Sequence, residues 1–265
     1  SHLVHWRDDA EAARFDVPPW FHDFTVSPDA TWAIAPIDED ALESSFRWTG
    51  VDDGAVALNA LQVLDLAGGE AFTITADHGV THVAFHPDGQ RAVVLTSGEV
   101  AVFDLASRDP RPDVVFPLSL DPANPLTGRS LAFTPDGSRV LVATPDTPDL
   151  YVLDLVNLSI NIVGLPSAAL QLVPDAARDR TLVVFSSTAA LGSVDHDRFD
   201  LTTLPLPSVT THLVPAGDLF LAWSDRRADV MRLDPATDRL DRYVLSTSPF
   251  ALDVDPQGRE AVARL

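Results

Sequence analysis

The chain predicts an all-β fold, a β-propeller, on three observations. A proline-led turn recurs at Pro28 (VSPDA), Pro87 (FHPDG), Pro135 (FTPDG), Pro174 (LVPDA), Pro215 (LVPAG) and Pro256 (VDPQG). Four of the five intervals lie close to the roughly 40–50 residues of a propeller blade, and the first carries an insertion. An apolar run ending in Asp follows in each of five units, at Asp65, Asp104, Asp154, Asp195 and Asp234. Between these marks the apolar runs are short, β-branched-rich and bounded by Gly, Pro, Asp and Ser, as strands are. No segment keeps a helical period over ten or more residues.

Each mark has a physical reason. Proline sets φ at the first corner of a turn, Asp can bond its own backbone, and Gly takes the positive φ that other residues resist. Such a connection makes an antiparallel hairpin. An Asp at the end of the third run can close the turn into the fourth.

The marks place four strands in each unit. The first unit has them near 20–26, 31–36, 59–66 and 70–75, and the second near 80–86, 90–96, 99–105 and 113–118. The third has 128–134, 138–144, 149–155 and 159–163. The fourth has 168–173, 180–186, 190–195 and 200–206, and the fifth 209–214, 218–224, 228–234 and 239–245. A sixth unit supplies two strands, 250–255 and 259–265. Upstream, 3–6 and 14–17 resemble the third and fourth strands of a blade, and Asp8 to Arg14 is the best helix candidate. Joined, the two ends complete six four-stranded blades and close a ring without open strand edges. The alternative is that further blades follow Leu265. The expectation is one domain over 1–265, with an insertion at 38–58.

The 265 residues and an apolar fraction of 46% permit a full core. No run approaches the length of a membrane-spanning helix. With no cysteine there are no disulfides, zinc ribbons or thiol nucleophiles. The start at Ser1 and a lone Met231 read as a trimmed product. Acidic residues number 39 against 18 basic ones, all of them Arg, for a net charge of −21. That field repels phosphate backbones and excludes nucleic acid as the main partner. Arg-only usage fits a GC-rich genome or an acidic surface suited to a salt-rich habitat.

The segments FHPDGQRAVVLTSGEVAVFDL and LAFTPDGSRVLVATPDTPDLYVLDL resemble the YVTN and WD40-like repeats of bacterial propellers. The likeness covers nearly the whole chain and thins in the fourth and fifth units. No GH dipeptide precedes the first strand and no Trp-Asp closes the third, unlike true WD40 repeats. The resemblance implies that the first strand of each blade lines a central channel. It also implies that the PDG turns lie on one face, and that the loops before the first strand and after the second lie on the other, ligand-facing side. It carries the fold and not a function. A periplasmic or extracellular location is expected, with the cytoplasm as the alternative, and the ring can belong to a longer polypeptide.

Candidate site residues follow from that orientation. His22, Asp23, His82 and Arg129 stand at the starts of inner strands, with His78 in the loop before His82. The insertion at 38–58 mixes six carboxylates with Phe46, Arg47 and Trp48, which can anchor a partner. Arg226 and Arg227 share the loop SDRRAD and can grip a carboxylate or phosphate. His86 falls on the opposite face and is given no role. No cofactor is predicted, and a divalent metal is possible, with Asp23 and His82 as candidate ligands. Such a site needs three or four ligands from separate blades, and Ser130, Ala169, Thr210 and Ala251 occupy the equivalent positions. The chain reads as a binding or scaffold propeller that engages a protein or small ligand through its upper face. The alternative is a metal-dependent hydrolase of the lactonase type. No GxSxG, HExxH, Walker, GxGxxG or DxDxDG signature is present.

Overall fold

Apolar runs repeated between Asp, Gly and Pro turns fold here into consecutive four-stranded antiparallel meanders, the blades of a β-propeller. The structure is a computed structural model that describes residues 2–7, 10–18, 20–21, 23–38, 59–119, 125–255 and 258–264. The chain divides into two compact units, Ser1–Gly128 and Arg129–Leu265.

The first unit opens on a hairpin of β1 (His2–Arg7) and β2 (Ala10–Asp16). Its first blade contains β3 (Thr25–Val26), β4 (Trp32–Pro36), β5 (Ala60–Asp65) and β6 (Glu70–Thr75). The second contains β7 (Val80–Phe85), β8 (Arg91–Thr96), β9 (Glu99–Asp104) and β10 (Val114–Pro117). In the second unit the third blade is β11 (Ser130–Phe133), β12 (Arg139–Ala143), β13 (Asp149–Asp154) and β14 (Ser159–Gly164). The fourth is β15 (Ala169–Asp175), β16 (Arg180–Phe185), β17 (Ala190–Asp195) and β18 (Leu201–Pro205). The fifth is β19 (His212–Ala216), β20 (Leu219–Trp223), β21 (Asp229–Asp234) and β22 (Arg239–Val244). A two-stranded sheet of β23 (Ala251–Val254) and β24 (Ala261–Arg264) follows.

The middle strands are buried on both faces, which is why AVVL, VAVF, VLVA and LVVF are continuous apolar runs rather than alternating ones. Their side chains pack against the next blade. Trp32, Ile34 and Leu61 of the first blade meet Val83, Val94 and Phe103 of the second. Leu141 and Leu150 of the third meet Leu172 and Phe185 of the fourth. Leu182 and Leu191 of the fourth meet Phe220 and Met231 of the fifth.

The turn residues act as their chemistry dictates. Gly89, Gly137, Gly217 and Gly258 all have positive φ two residues after the marking proline, and Ala30 takes that conformation in the first blade. The fourth blade differs: Ala176–Arg178 form a short 3₁₀ turn, and Asp179 is the left-handed residue. After the third strand the side-chain Oδ1 of Asp65, Asp104, Asp154, Asp195 and Asp234 accepts the amide hydrogen two residues on, at 2.9–3.1 Å. Four residues past each Asp stands a left-handed residue: Gly69, Arg108, Leu158, Phe199 and Asp238. One turn geometry is thus built five times, only once with glycine.

Side chains also tie inner strands together. Thr81 Oγ1 donates to the carbonyl of Gly128 at 2.9 Å. Leu172 N–H donates to Ser130 Oγ at 3.1 Å. Gln171 donates to the carbonyl of Leu213 and accepts its amide, both at 2.9 Å, so that one side-chain amide mimics a peptide of a neighbouring strand.

One expectation is corrected. The helix foreseen at Asp8 to Arg14 is not formed, because β2 starts at Ala10 and pairs with β1. Ala13, Phe15 and Val17 face the core of the first blade while Arg14 and Asp16 face water, a period of two that outweighs the helix-favouring composition. The first strand of the first blade is also shorter than expected, with Phe21 joined to Ile37 by an isolated bridge ahead of it.

Candidate functional site

His22, Phe46, Arg47, Trp48 and nearly all of the 38–58 insertion lie outside the described residues. In the first unit Asp23 is exposed with φ at 56°, in the loop before β3. His82 sits on β7 just past a bulge at Thr81. Its surface is open to water, yet protein packed around the imidazole lowers its pKa and favours the neutral ring. Asp23 and His82 belong to consecutive blades, and no three His, Asp or Glu side chains gather to hold a metal among the described residues.

A group outside the sequence-derived set is Glu99, the first residue of β9 after the short Ser97–Gly98 loop. It is 8% exposed, and its Oε1 has no hydrogen-bond partner among the described residues. Burial raises its pKa and the nearby Asp77 raises it further, partly offset by His78. A start-of-strand Glu in TSGEV carries no sequence sign of this.

In the second unit Arg129 is exposed at the entry to β11, where its amide donates to the carbonyl of Ala143. Arg226 and Arg227 lie in the loop between β20 and β21. That loop lines a cleft of about 570 Å³ at the meeting of the fourth and fifth blades. Leu170 and Val209 supply apolar wall, and Ser186, Ser208, Thr211 and Ser224 supply hydroxyls.

The structure divides the two arginines. Arg227 Nε pairs with buried Asp229 at 3.2 Å, and Arg242 Nε holds the other oxygen of the same carboxylate at 2.6 Å. Burial alone would raise the Asp229 pKa, but hydrogen bonds from the two guanidiniums outweigh it and hold the group below its ordinary value. Arg227 therefore serves the fold. The Arg226 side chain has no partner among the described residues, and only its amide is engaged, at 3.4 Å from Ser224 Oγ.

The loop presenting Arg226 is fixed by residues that sequence reasoning missed. His212 Nε2 meets Asp225 Oδ1 at 2.7 Å, and the imidazole stacks on Trp223 with ring centres 4.8 Å apart. His212 and Trp223 are cross-strand partners in β19 and β20, which brings the rings together. The amide of Asp225 lies 3.4 Å from Thr211 Oγ1.

A second arrangement, on the PDG face of the fourth blade, looks catalytic and is not. Asp179 Oδ1 meets His196 Nδ1 at 2.9 Å, and His196 Nε2 meets Thr181 Oγ1 at 2.9 Å. The order Asp, His, hydroxyl is that of a nucleophilic relay. Thr181, however, is fully buried, and no substrate carbon can reach its oxygen. The trio ties the unusual 179 turn to the blade.

No family model matches the chain, and no curated protein matches it in sequence. Solved structures do. The chain resembles the dihydro-heme d1 dehydrogenase NirN, solved in complex with DHE, at 16% identity and a TM-score of 0.69 over 98% of this chain and 55% of that one. It also resembles a functionally unknown protein from Desulfotomaculum acetoxidans at 12% identity and a TM-score of 0.60, covering 77% of this chain and 68% of that one. U3-55K aligns at 11% identity with a TM-score of 0.59, covering 83% of this chain and 63% of that one. The chain thus spans little more than half the length of NirN. At such identities the likeness establishes the β-propeller and leaves the chemistry to the residues.

Proposed function

We propose that the chain is a binding propeller that takes a small oxyanion, a carboxylate or a phosphate group, in the cleft around Arg226. One observation carries the reading: among the described residues Arg226 has no carboxylate partner, in a chain where acids outnumber arginines by 39 to 18. Elsewhere Arg91, Arg108, Arg139, Arg178 and Arg180 each meet an acid. A guanidinium on a stapled loop, ringed by hydroxyl donors, suits a planar or tetrahedral oxyanion. The apolar wall suits the carbon body of such a ligand.

Calorimetric titration with succinate and with inorganic phosphate tests the reading and separates the two sources of the anion, with neutral succinamide as control. Arg226→Ala is expected to weaken binding about 10–100-fold, the range for losing a charge-assisted hydrogen bond. Arg226→Lys should recover part of it. Failure of both anions to bind, or binding that ignores Arg226→Ala, refutes the proposal.

A further inference from the structure

The outer strands of the blades are not alike. An outer strand presents a row of unpaired backbone groups, and proteins guard such edges with charge or proline. β6 opens on Glu70, which Arg108 holds. β10 and β18 end in Pro117 and Pro205. β22 carries Arg239, Asp241 and Arg242. β14 is the terminal strand of its sheet and has neither guard. No charged residue occurs from Leu155 to Leu165 in a chain of net charge −21. Along this stretch Val156, Leu158, Ile160 and Ile162 are 73, 59, 36 and 61% exposed.

Leu158 adds an independent sign. It holds the left-handed turn position at φ 53°, where a branched apolar side chain is strained. Phe199 holds the same position in the next blade, but it packs against the core and lies under the guanidinium of Arg139, 5.0 Å from its ring centre. Leu158 is both strained and open to water. An exposed apolar residue at a turn position filled elsewhere by Gly69, Arg108, Asp238 or a packed Phe199, continuing an exposed apolar row, marks a surface kept for contact.

We propose that β14 is a docking edge that accepts, by strand addition, an extended segment of a basic partner protein, apolar at alternate positions and flanked by arginine or lysine. Backbone pairing supplies affinity, and Ile160 and Ile162 supply the apolar match. Charge decides the occupant. A second copy of this chain would bring another −21 alongside the first, whereas a basic flank meets Asp149, the cross-strand partner of Gly164 at the end of the strand.

The test uses a fluorescent synthetic peptide of alternating valine and threonine with two arginines at each end. Saturable anisotropy binding is expected, together with slowed amide exchange confined to the Leu158–Gly164 stretch. The double variant Ile160→Thr/Ile162→Thr keeps charge and strand propensity and should bind at least ten-fold more weakly. Leu158→Gly should raise the melting temperature while weakening binding. An unchanged affinity in the double variant, protection appearing elsewhere, or no binding overturns the proposal. So does a dimer in light scattering that the double variant dissolves, since the occupant is then a second copy.

Discussion

Asp154 accepts the amide of Asn157 at 2.7 Å through the same Oδ1 that takes the amide of Val156 at 3.0 Å. These hydrogen bonds, that of Asn157 foremost, hold the Asp154 carboxyl at about 2, below its ordinary 3.8. A depressed carboxyl contributes stability that is full above the unfolded value and lost as pH falls through the folded one. Asp154→Ala should therefore lower the melting temperature most above about pH 4, and the gap to wild type should narrow toward about pH 2. A gap independent of pH across that window would show that the charge plays no part.

Glu99 has the opposite sign. Burial and Asp77 raise its pKa, so the folded state favours the protonated form. Stability from this group is full below the unfolded value and lost as pH rises through the folded one. Glu99→Gln, which mimics the neutral acid, is expected to raise the melting temperature at neutral pH, with the gain fading on acidification. A melting scan from acid to neutral pH checks both the sign and the trend.

Two glycines separate strain from collision. A Cβ at Gly258 would strike the backbone of Ala216 and Gly217, and its φ of 67° resists any side chain. Gly258→Ala should cost about 2–4 kcal/mol, left-handed strain plus overpacking. Gly69, at φ 73°, has nothing near its would-be Cβ, so Gly69→Ala should cost only about 1–2 kcal/mol. Denaturant titration of both proteins measures the difference.

Gln171 holds both polar groups of the fully buried Leu213 backbone. Gln171→Ala would leave them unpaired, at a cost of about 1–3 kcal/mol. The Leu213 amide should then exchange faster than in wild type. Unaltered exchange there would mean that water replaces the glutamine without loss.

The repeating turns made the blades legible. Pro-Asp-Gly and the closing Asp are local chemistry, and strand bounds read from them differ from the structure by a residue or two in the second and third blades. The hairpin at β2 was hidden because Ala, Glu and Arg suit a helix until a partner strand fixes a period of two. Arg226 was readable as a loop cation. What presents it was not, since His212 on β19 and Asp225 in the loop after β20 stand 13 residues apart and meet only through strand pairing. Glu99 was invisible for the same reason: desolvation is a property of the packed neighbourhood.

The bonds from Leu172 to Ser130 and from Gln171 to Leu213 each span 42 residues, about one repeat. Both links join a blade to the next one, which couples the third, fourth and fifth blades of the Arg129–Leu265 unit in series. Its stability should behave as a sum of intrinsic blade terms and nearest-neighbour interface terms. A lesion at one interface is then felt as local fraying of two blades, with exchange protection falling there first and decaying with distance along the chain.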